Sequence, residues 1–358
     1  MGVKGAVIAA GVEQRRKTRA AFYEAGGRIV IKDLDLPPLK QGELLVRITA
    51  CGMCASDALG WYAERKAPFV PGHEPVGVVE ACGGDKTGFA PGDRVFVHHH
   101  AACMNCRYCR RGDYVQCPKW RAPRLFPGGL SALAIVASES VSTDVLALPD
   151  QMSDDVATLI EPLATVIKSL RRARLRPSDS VLIIGLGAMG LLHAMVARHE
   201  GAGVVLGTDR TAQRLERARG FGLDAVFDVG HERATAEVLA ATNGDGADVV
   251  IVGPGSVEAL EAAVETVARG GAILVFTPTA PEVLWQVPVH DLYFKDVRII
   301  TSYSAGPDDT RAALALLGAG LPVEQLFTHR LPLSETERAY RLLREAKEAL
   351  KVVVYPNR

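Results

Sequence analysis

The sequence predicts an α/β protein of two units: a β-rich unit, and a six-stranded parallel sheet wound with helices on both faces. Three observations predict it. The chain has 358 residues, enough for two domains at roughly 150 residues each. Up to about residue 150, short alternating runs are separated by Gly/Pro turns, the pattern of a compact β-rich domain. After Pro149 come six apolar, β-branched runs with helical stretches between them, which is what a doubly wound sheet requires.

Taken in order, residues 1–18 read as an N-terminal extension, because strand-like alternation begins near Arg28 with Arg28-Ile29-Val30-Ile31-Lys32. That leader is expected to be poorly ordered. Strands are predicted at Glu43 to Ala50, Val76 to Ala81, Arg94 to Val97 and Ala134 to Ala137, with a cysteine-rich loop inserted at 98–118. The six later runs are Val181 to Ile184, Val204 to Gly207, Ala225 to Phe227, Val249 to Val252, Ile273 to Phe276 and Val297 to Ile300. A helix from about Asp308 to Leu317 and the apolar Val352-Val353-Val354 then return to the first unit. The expected division is 19–157 with 303–358 for the β-rich unit, and 158–302 for the parallel sheet.

Composition narrows the function classes. Hydrophobic residues make up 48%, charged residues 23%, and the formal net charge is zero, so nothing attracts nucleic acid or anionic lipid, and a small molecule is the expected partner. The most apolar stretch, Val181 to Ala197, carries three glycines and His193, and reads as a buried strand followed by a helix; no membrane span is expected. Near the N-terminus Arg15, Arg16, Lys17 and Arg19 follow the short apolar run instead of preceding it, which is not a secretory pattern. A cytoplasmic location follows. Seven cysteines, an odd number with four bunched at metal-ligand spacing, favour metal ligation over disulfides. Cys51 and Cys82 are left as free thiols, small buried hydrophobes in their bland reading.

Val181-Leu182-Ile183-Ile184 runs into Gly185-Leu186-Gly187-Ala188-Met189-Gly190, a helix follows, and Asp209 ends the next strand nineteen positions after Gly190. A bare GxGxxG is weak evidence, but this full strand-loop-helix-strand-acid context is a dinucleotide fingerprint. Gly185 permits the tight turn, Gly187 lets backbone approach a pyrophosphate, and Gly190 lets helix and strand pack closely. Helix N-terminal amides receive the anion. Asp209 is suited to an adenosine ribose and repels a 2′-phosphate, favouring NAD over NADP; Arg210 next to it, and Arg214, work in the opposite direction.

Cys103, Cys106, Cys109 and Cys117 form a C-x2-C-x2-C-x7-C cluster within fifteen residues. Four thiolates close a tetrahedral shell around Zn2+ with no open position, which suits a structural site. Elsewhere Cys54-Ala55-Ser56-Asp57, Gly72-His73-Glu74 and Glu161-Pro162-Leu163-Ala164 offer a thiolate, an imidazole and carboxylates from separated segments. Three such ligands with a vacant position make a catalytic zinc site. Singly each is weak: His73 alone reads as a satisfied histidine, and Glu161 before Pro162 as part of a helix's first turn.

The order of these segments resembles the zinc-containing medium-chain alcohol dehydrogenases, and most closely the polyol branch that includes sorbitol and L-iditol 2-dehydrogenases. The resemblance runs from about Arg19 to Tyr355 and includes the late stretch Ile300-Thr301-Ser302-Tyr303-Ser304. It implies a GroES-like catalytic domain, a Rossmann cofactor domain, and two Zn2+ per chain, one catalytic and one structural. It selects Cys54 over Cys51 as a catalytic ligand and adds His73 and Glu161, with Glu74 a spare carboxylate able to exchange with Glu161 or with water. It makes Ser56 the hydroxyl that passes the substrate proton outward, and Asp57 the carboxylate that orients a ligand. The implied reaction is reversible NAD-linked oxidation of a secondary alcohol of a polyol, sugar or cyclitol to a ketone, in a homodimer or homotetramer joined near Ile273 to Ser302.

Two departures matter. Family members often carry a relay histidine three positions after the serine, where this chain has Leu59, and sorbitol dehydrogenases carry an arginine where it reads Thr301-Ser302-Tyr303. His100 matches a position that faces the active site in threonine dehydrogenases, although His98, His99 and His100 also read as alternation along a strand. Ser302, Tyr303, Ser304, His100 and Trp61 offer polar groups and an aromatic wall for a sugar-like ligand. The rival readings are a threonine-type amino alcohol dehydrogenase, a simple aliphatic alcohol dehydrogenase and, from another class, a non-catalytic nucleotide-binding or zinc-ribbon interaction protein. The absence of a basic stripe weighs against the last.

Overall fold

The computed structural model describes residues 16–85, 87–230 and 233–358. The β-rich unit comprises β1 (Lys17–Glu24), β2 (Arg28–Asp35), β3 (Leu44–Met53), β4 (Glu74–Cys82), β5 (Arg94–Val97), β6 (Leu125–Phe126), β7 (Leu133–Val136) and β8 (Val145–Ala147). The parallel sheet comprises β9 (Ser180–Ile184), β10 (Val204–Asp209), β11 (Ala225–Asp228), β12 (Ala247–Val252), β13 (Val267–Val275) and β14 (Arg298–Thr301). The chain then returns to the first unit as β15 (Phe327–Pro332) and β16 (Lys351–Tyr355).

The predicted strands are all present, most within a residue or two of their expected ends. One was missed. Lys17–Glu24 pairs antiparallel with β2 along its whole length, and Thr18, buried, donates to the Leu133 carbonyl at 2.9 Å. Lys17 and Thr18 therefore belong to a strand and not to a leader; the rest of the predicted extension, 1–15, lies outside the described residues. Positive charge at Lys17 and Arg19 blurred the alternation, because those side chains project from the exposed face while Thr18 and Ala20 point inward.

The parallel sheet has the order β11-β10-β9-β12-β13-β14, so neighbouring strands diverge on either side of β9 and open a crevice at its carboxyl end. The other sheet runs β15-β16-β3-β4-β5-β8, with β7 pairing with β3 and β6. Between the two lies the helix Ile160–Ala173. Its Leu163, Val166 and Leu170 pack in one core with Val181 and Ile183 of β9 and with Ala50, Val76 and Phe96 of the first sheet. Each fully buried aliphatic side chain contributes about 1.5–3 kcal/mol, so this helix joins the units. It ends where Arg174 adopts a left-handed conformation and its amide returns to the Arg171 carbonyl. A second helix, Pro307–Gly318, starts with proline in its first turn and an Asp309 carboxylate accepting the Gly306 amide at 2.9 Å. Asp309 also accepts from Arg171 Nη1 at 2.9 Å, tying the two helices together. Among the described residues no helix is long and apolar enough to cross a membrane.

Candidate metal and dinucleotide sites

The four-cysteine loop folds into two short 3-10 turns, Cys109–Arg111 and Tyr114–Gln116. Cys103, Cys106, Cys109 and Cys117 bring their sulfurs within 4.8 Å of one another, with Cys106 and Cys109 3.5 Å apart and Cys103 and Cys109 4.0 Å apart. The edge of a ZnS4 tetrahedron with bonds near 2.3 Å is about 3.8 Å, so the sulfurs fit a metal shell. The Asn105 amide draws Cys103 down to about 6, whereas burial pushes Cys109 up to about 12. A bound cation is what would let all four ionise together.

The second set is assembled where β3 leaves the sheet and β4 enters it. Cys54 caps the turn Ala55–Ala58, and the Ser56 hydroxyl donates to Cys54 Sγ at 3.2 Å. Asp57 Oδ1 lies 3.2 Å from His73 Nδ1, which occupies that nitrogen and leaves the other as a ligand atom. Burial works against charge on His73, but Asp57 and Cys54 outweigh it and hold the imidazole well above its ordinary value. Glu74 is fully buried and ion-paired with Lys351 Nζ, which also donates to the Met53 carbonyl at 3.3 Å. Glu74 Oε1 is buried with no partner, a lone acceptor that a metal would satisfy. A Cβ at Gly52 would sit 2.0 Å from Glu74 Oε2, so the glycine of Cys51-Gly52-Met53-Cys54 makes room for this carboxylate.

Cys54, His73 and Glu74 place ligand atoms within 4.8 Å of one another, whereas Glu161 forms its own group with His98 and His99. The resemblance implies the reverse assignment of the two carboxylates, with Glu161 bound and Glu74 spare. Glu161 is buried in the first turn of the Ile160–Ala173 helix and held above the usual carboxylate range by desolvation, with His73 opposing and Glu74 adding to that shift. All six groups thus share one neighbourhood.

Residues 98–100 follow β5 but are not part of it, so they do not alternate as strand residues. His98 is fully buried, with Nδ1 2.7 Å from Asp144 Oδ2; Thr310 donates to the other Asp144 oxygen. His99 is the histidine beside the ligands, its ring 5.1 Å from that of His73. His100 sits one ring further out, its ring tilted against that of His99 at 3.9 Å and that of Trp120 at 5.1 Å. Burial holds it down to about 3, so it stays neutral. Sequence reasoning named His100 and passed over His99, Asp144 and Lys351; the consecutive histidines were the signal for His99.

The glycine loop lies at the carboxyl end of β9. Gly185 has φ +92°, and a Cβ on Gly190 would meet the Gly185 carbonyl at 2.0 Å, so the turn and the close helix–strand approach both require glycine. Gly187 caps the helix Ala188–His199, with Leu186 before it and Ala188, Met189 and Gly190 in its first turn. A Cβ on Gly187 would face only the Arg214 guanidinium, at 3.7 Å or more. Asp209, buried at the end of β10, accepts the Leu186 amide and the Thr211 amide at 2.8 Å each, with Arg214 Nη1 3.6 Å away. Arg210 is exposed. A carboxylate and a free helix N-terminus on one Gly-rich loop fit a dinucleotide.

A doubly wound sheet with this loop, joined to a curled β unit that holds a cysteine/histidine/glutamate set and a four-cysteine knot, defines a zinc-binding oxidoreductase. The chain belongs to the zinc-dependent medium-chain alcohol dehydrogenase family: residues 40–150 match the alcohol dehydrogenase GroES-like domain, and 188–319 the zinc-binding dehydrogenase domain. It is 32% identical over 353 residues to a sorbitol dehydrogenase of Bacillus subtilis, covering 95% of this chain and 98% of that one. It is 31% identical over 317 residues to a D-altritol 5-dehydrogenase of Agrobacterium fabrum, covering 86% and 91%. Among solved structures, the alcohol dehydrogenase TADH of Thermus sp. ATN1 superposes with a TM-score of 0.85 at 33% identity, covering 94% of this chain and 99% of that one.

Proposed function

We propose that the protein oxidises a secondary alcohol of a polyol, sugar or cyclitol to a ketone, reversibly and with NAD. The observation that carries this reading is Ser56 Oγ beside Cys54 Sγ in the same pocket as His73 and Glu74. Cys54, His73 and a carboxylate would hold a zinc ion that would supply Lewis acidity to a hydroxyl, and the glycine loop would hold a nicotinamide cofactor that would supply the hydride acceptor. Ser56 holds the departing proton at Oγ. Asp57 fixes the His73 ring, and Glu74 or Glu161 supplies the carboxylate ligand, with Lys351 compensating whichever charge Glu74 retains. Leu59 offers no group that could pass a proton on, so a relay beyond Ser56 does not run through residue 59.

Asp209 favours NAD, because its remaining lone pairs suit ribose hydroxyls and its charge repels a 2′-phosphate. The second zinc, in the Cys103/Cys106/Cys109/Cys117 knot, is structural. A homodimer or homotetramer is supported by one edge of the parallel sheet: among the described residues its edge strand β14 pairs only with β13, and Leu284, Val289, Tyr293 and Phe294 are exposed. A reducing compartment such as the cytoplasm suits seven unpaired thiols.

The test is a panel of polyols, sugars, cyclitols, threonine and short monohydric alcohols, assayed with NAD and NADP in parallel. The highest kcat/KM is expected for a polyhydroxylated secondary alcohol with NAD, because a pocket built for several hydroxyls leaves polar groups unpaired with a simple alcohol. A higher kcat/KM for ethanol or 2-butanol than for every polyhydroxylated compound would overturn the substrate class and leave the dehydrogenase reading standing.

A further inference from the structure

A second ligand set adjoins the first and is built the same way. His98 and His99 follow β5, Glu161 stands in the first turn of the Ile160–Ala173 helix, and each offers a ligand atom within 4.8 Å of the other two. The β5–β8 ladder pairs Val97 with Val145 and so carries His98 opposite Asp144: the His98 amide donates to the Asp144 carbonyl at 3.3 Å, and His98 Nδ1 lies 2.7 Å from Asp144 Oδ2. Thr310 donates to the other Asp144 oxygen, and Arg311 Nη1 stands 3.8 Å from it. Asp144 thus holds the His98 ring as Asp57 holds that of His73, and Nε2 is the nitrogen left over. Because the chain has left the strand at Val97, consecutive side chains are no longer bound to opposite faces, and His98 and His99 serve one place together.

Three unsatisfied groups meet here. His98 Nε2 and His99 Nδ1 are buried with no hydrogen-bond partner. The carboxylate of Glu161, a residue 6% exposed, has neither a hydrogen bond nor an ion pair among the described residues, and Lys351 is paired with Glu74 instead. Two imidazoles and a carboxylate left without partners are costly singly, and a cation satisfies all three at once. Ligand atoms around Zn2+ with bonds of 2.0–2.1 Å stand about 3.3 Å apart, so small side-chain shifts close the set. The His73 and His99 rings are 5.1 Å apart, which makes the two sets neighbours. Neither borrows a ligand from the other: Cys54, His73 and Glu74 form one, and His98, His99 and Glu161 the other.

We propose that His98, His99 and Glu161 hold a second divalent cation beside the one at Cys54, His73 and Glu74. The set is nitrogen and oxygen without a thiolate, so it takes Zn2+, Co2+ or Mn2+ less tightly than a set that contains Cys54. Repulsion from the neighbouring cation weakens it further, and it fills after the first. The proposal goes beyond the dehydrogenase reading, which needs only the cation at Cys54, and holds for any substrate. While the second position is empty, Glu161 is free to serve the Cys54 cation.

The test is a titration of the protein with Co2+, zinc being kept in the four-cysteine knot, as metal analysis verifies, and removed elsewhere. The first equivalent is expected to bring a thiolate-to-cobalt charge-transfer band from Cys54, and a second to add ligand-field absorption with no further growth of that band. Cys54→Ser is expected to lose the band and still bind one Co2+. His99→Gln and Asp144→Asn are each expected to weaken the second equivalent at least tenfold and to leave the first and its band in place, Asp144→Asn acting through the His98 ring. Glu161→Gln is the further probe if either variant does not fold. Uptake of one Co2+ only by the wild type, no uptake by folded Cys54→Ser, or a second equivalent as tight in the folded variants as in the wild type overturns the proposal. A first equivalent weakened along with the second also overturns it, because that result means one cation shared among all the ligands.

Discussion

Replacing Asp209 tests the cofactor loop most directly, because its two roles respond differently to Asn and to Ala. The carboxylate accepts two amides at 2.8 Å, from fully buried Leu186 and from Thr211, and faces Arg214 at 3.6 Å. Truncation to Ala orphans both amides, and each unsatisfied buried donor costs about 1–3 kcal/mol. The Thr211 amide is only half-buried and counts for less, so Asp209→Ala should lose about 2–4 kcal/mol of stability. Asparagine keeps one acceptor for one amide and turns an N–H toward the other, so Asp209→Asn should lose about half as much. Cofactor choice follows charge instead. Both variants cease to repel a 2′-phosphate and leave Arg214 unopposed, so both should narrow the NAD/NADP ratio of kcat/KM at least tenfold, on the order of the 1.5–3 kcal/mol of a charged hydrogen bond. Urea unfolding of the zinc-loaded variants and steady-state kinetics with both cofactors give the two readouts. Equal loss of stability in the two variants would refute the hydrogen-bond count, and a wild type that prefers NADP would refute the ribose role.

Cys54→Ser should release one zinc per chain with the fold intact, whereas Cys106→Ser should damage folding, since a closed structural site contributes directly to stability; metal analysis showing unchanged zinc in Cys54→Ser would contradict the first half. In the metal-free protein, Lys351→Met should destabilise by about 3–5 kcal/mol, because it leaves Glu74 charged and buried without a counterion, and adding Glu74→Gln should recover part of that loss in a double-mutant cycle. His193 is buried between Met189 O and Ser169 Oγ, at 2.7 and 2.9 Å, and burial lowers it to about 4. Its folded value lies below the unfolded one, near 6.5, so its contribution is full above about pH 6.5 and is lost as pH falls toward 4, about 3 kcal/mol in all. His193→Gln should flatten the stability profile in that window, and an unchanged slope there would count against it.

The doubly wound sheet was legible because its central strands β9, β10 and β12 are buried on both faces and read as continuous apolar runs, and because each strand is followed by a helix of contrasting period. The glycine loop was legible for a related reason: the turn at Gly185 and the close approach at Gly190 each restrict one position to glycine. The first strand was not, since Lys17–Glu24 alternates Arg and Lys with small residues whose burial comes from the Leu133 and Leu130 segments lying across it. The partners that tune the site were hidden too. Lys351 reaches Glu74 across 277 residues and Asp144 reaches His98 across 46, and no local spacing encodes such pairs. Gly52 marked the first of them, but a glycine made necessary by an arriving side chain looks the same in sequence as one made necessary by a turn.

The carboxylates differ in what carries them, and that difference has mechanical content. Cys54, His73 and Glu74 all sit on the β3–β4 side of one sheet, and β3 and β4 pair directly there, Gly52 opposite Glu74. Any rigid movement of that sheet carries the three together. Glu161 rides instead on the helix whose other face packs on Val181 and Ile183 of the cofactor-binding sheet. Rotation of one unit against the other about this helix would thus displace Glu161 relative to the trio, while His73, braced by Asp57, and Glu74, braced by Lys351, keep their places. Two carboxylates carried on different elements would offer a bound cation an exchangeable position without distorting the ligands beside it. The ion pair with Lys351 sets the balance, because Glu74 can give up part of its hold on a cation only while another positive charge remains next to it. A charge-neutral residue at 351 would bias that exchange toward Glu74, and one at 74 would leave the position to Glu161 alone.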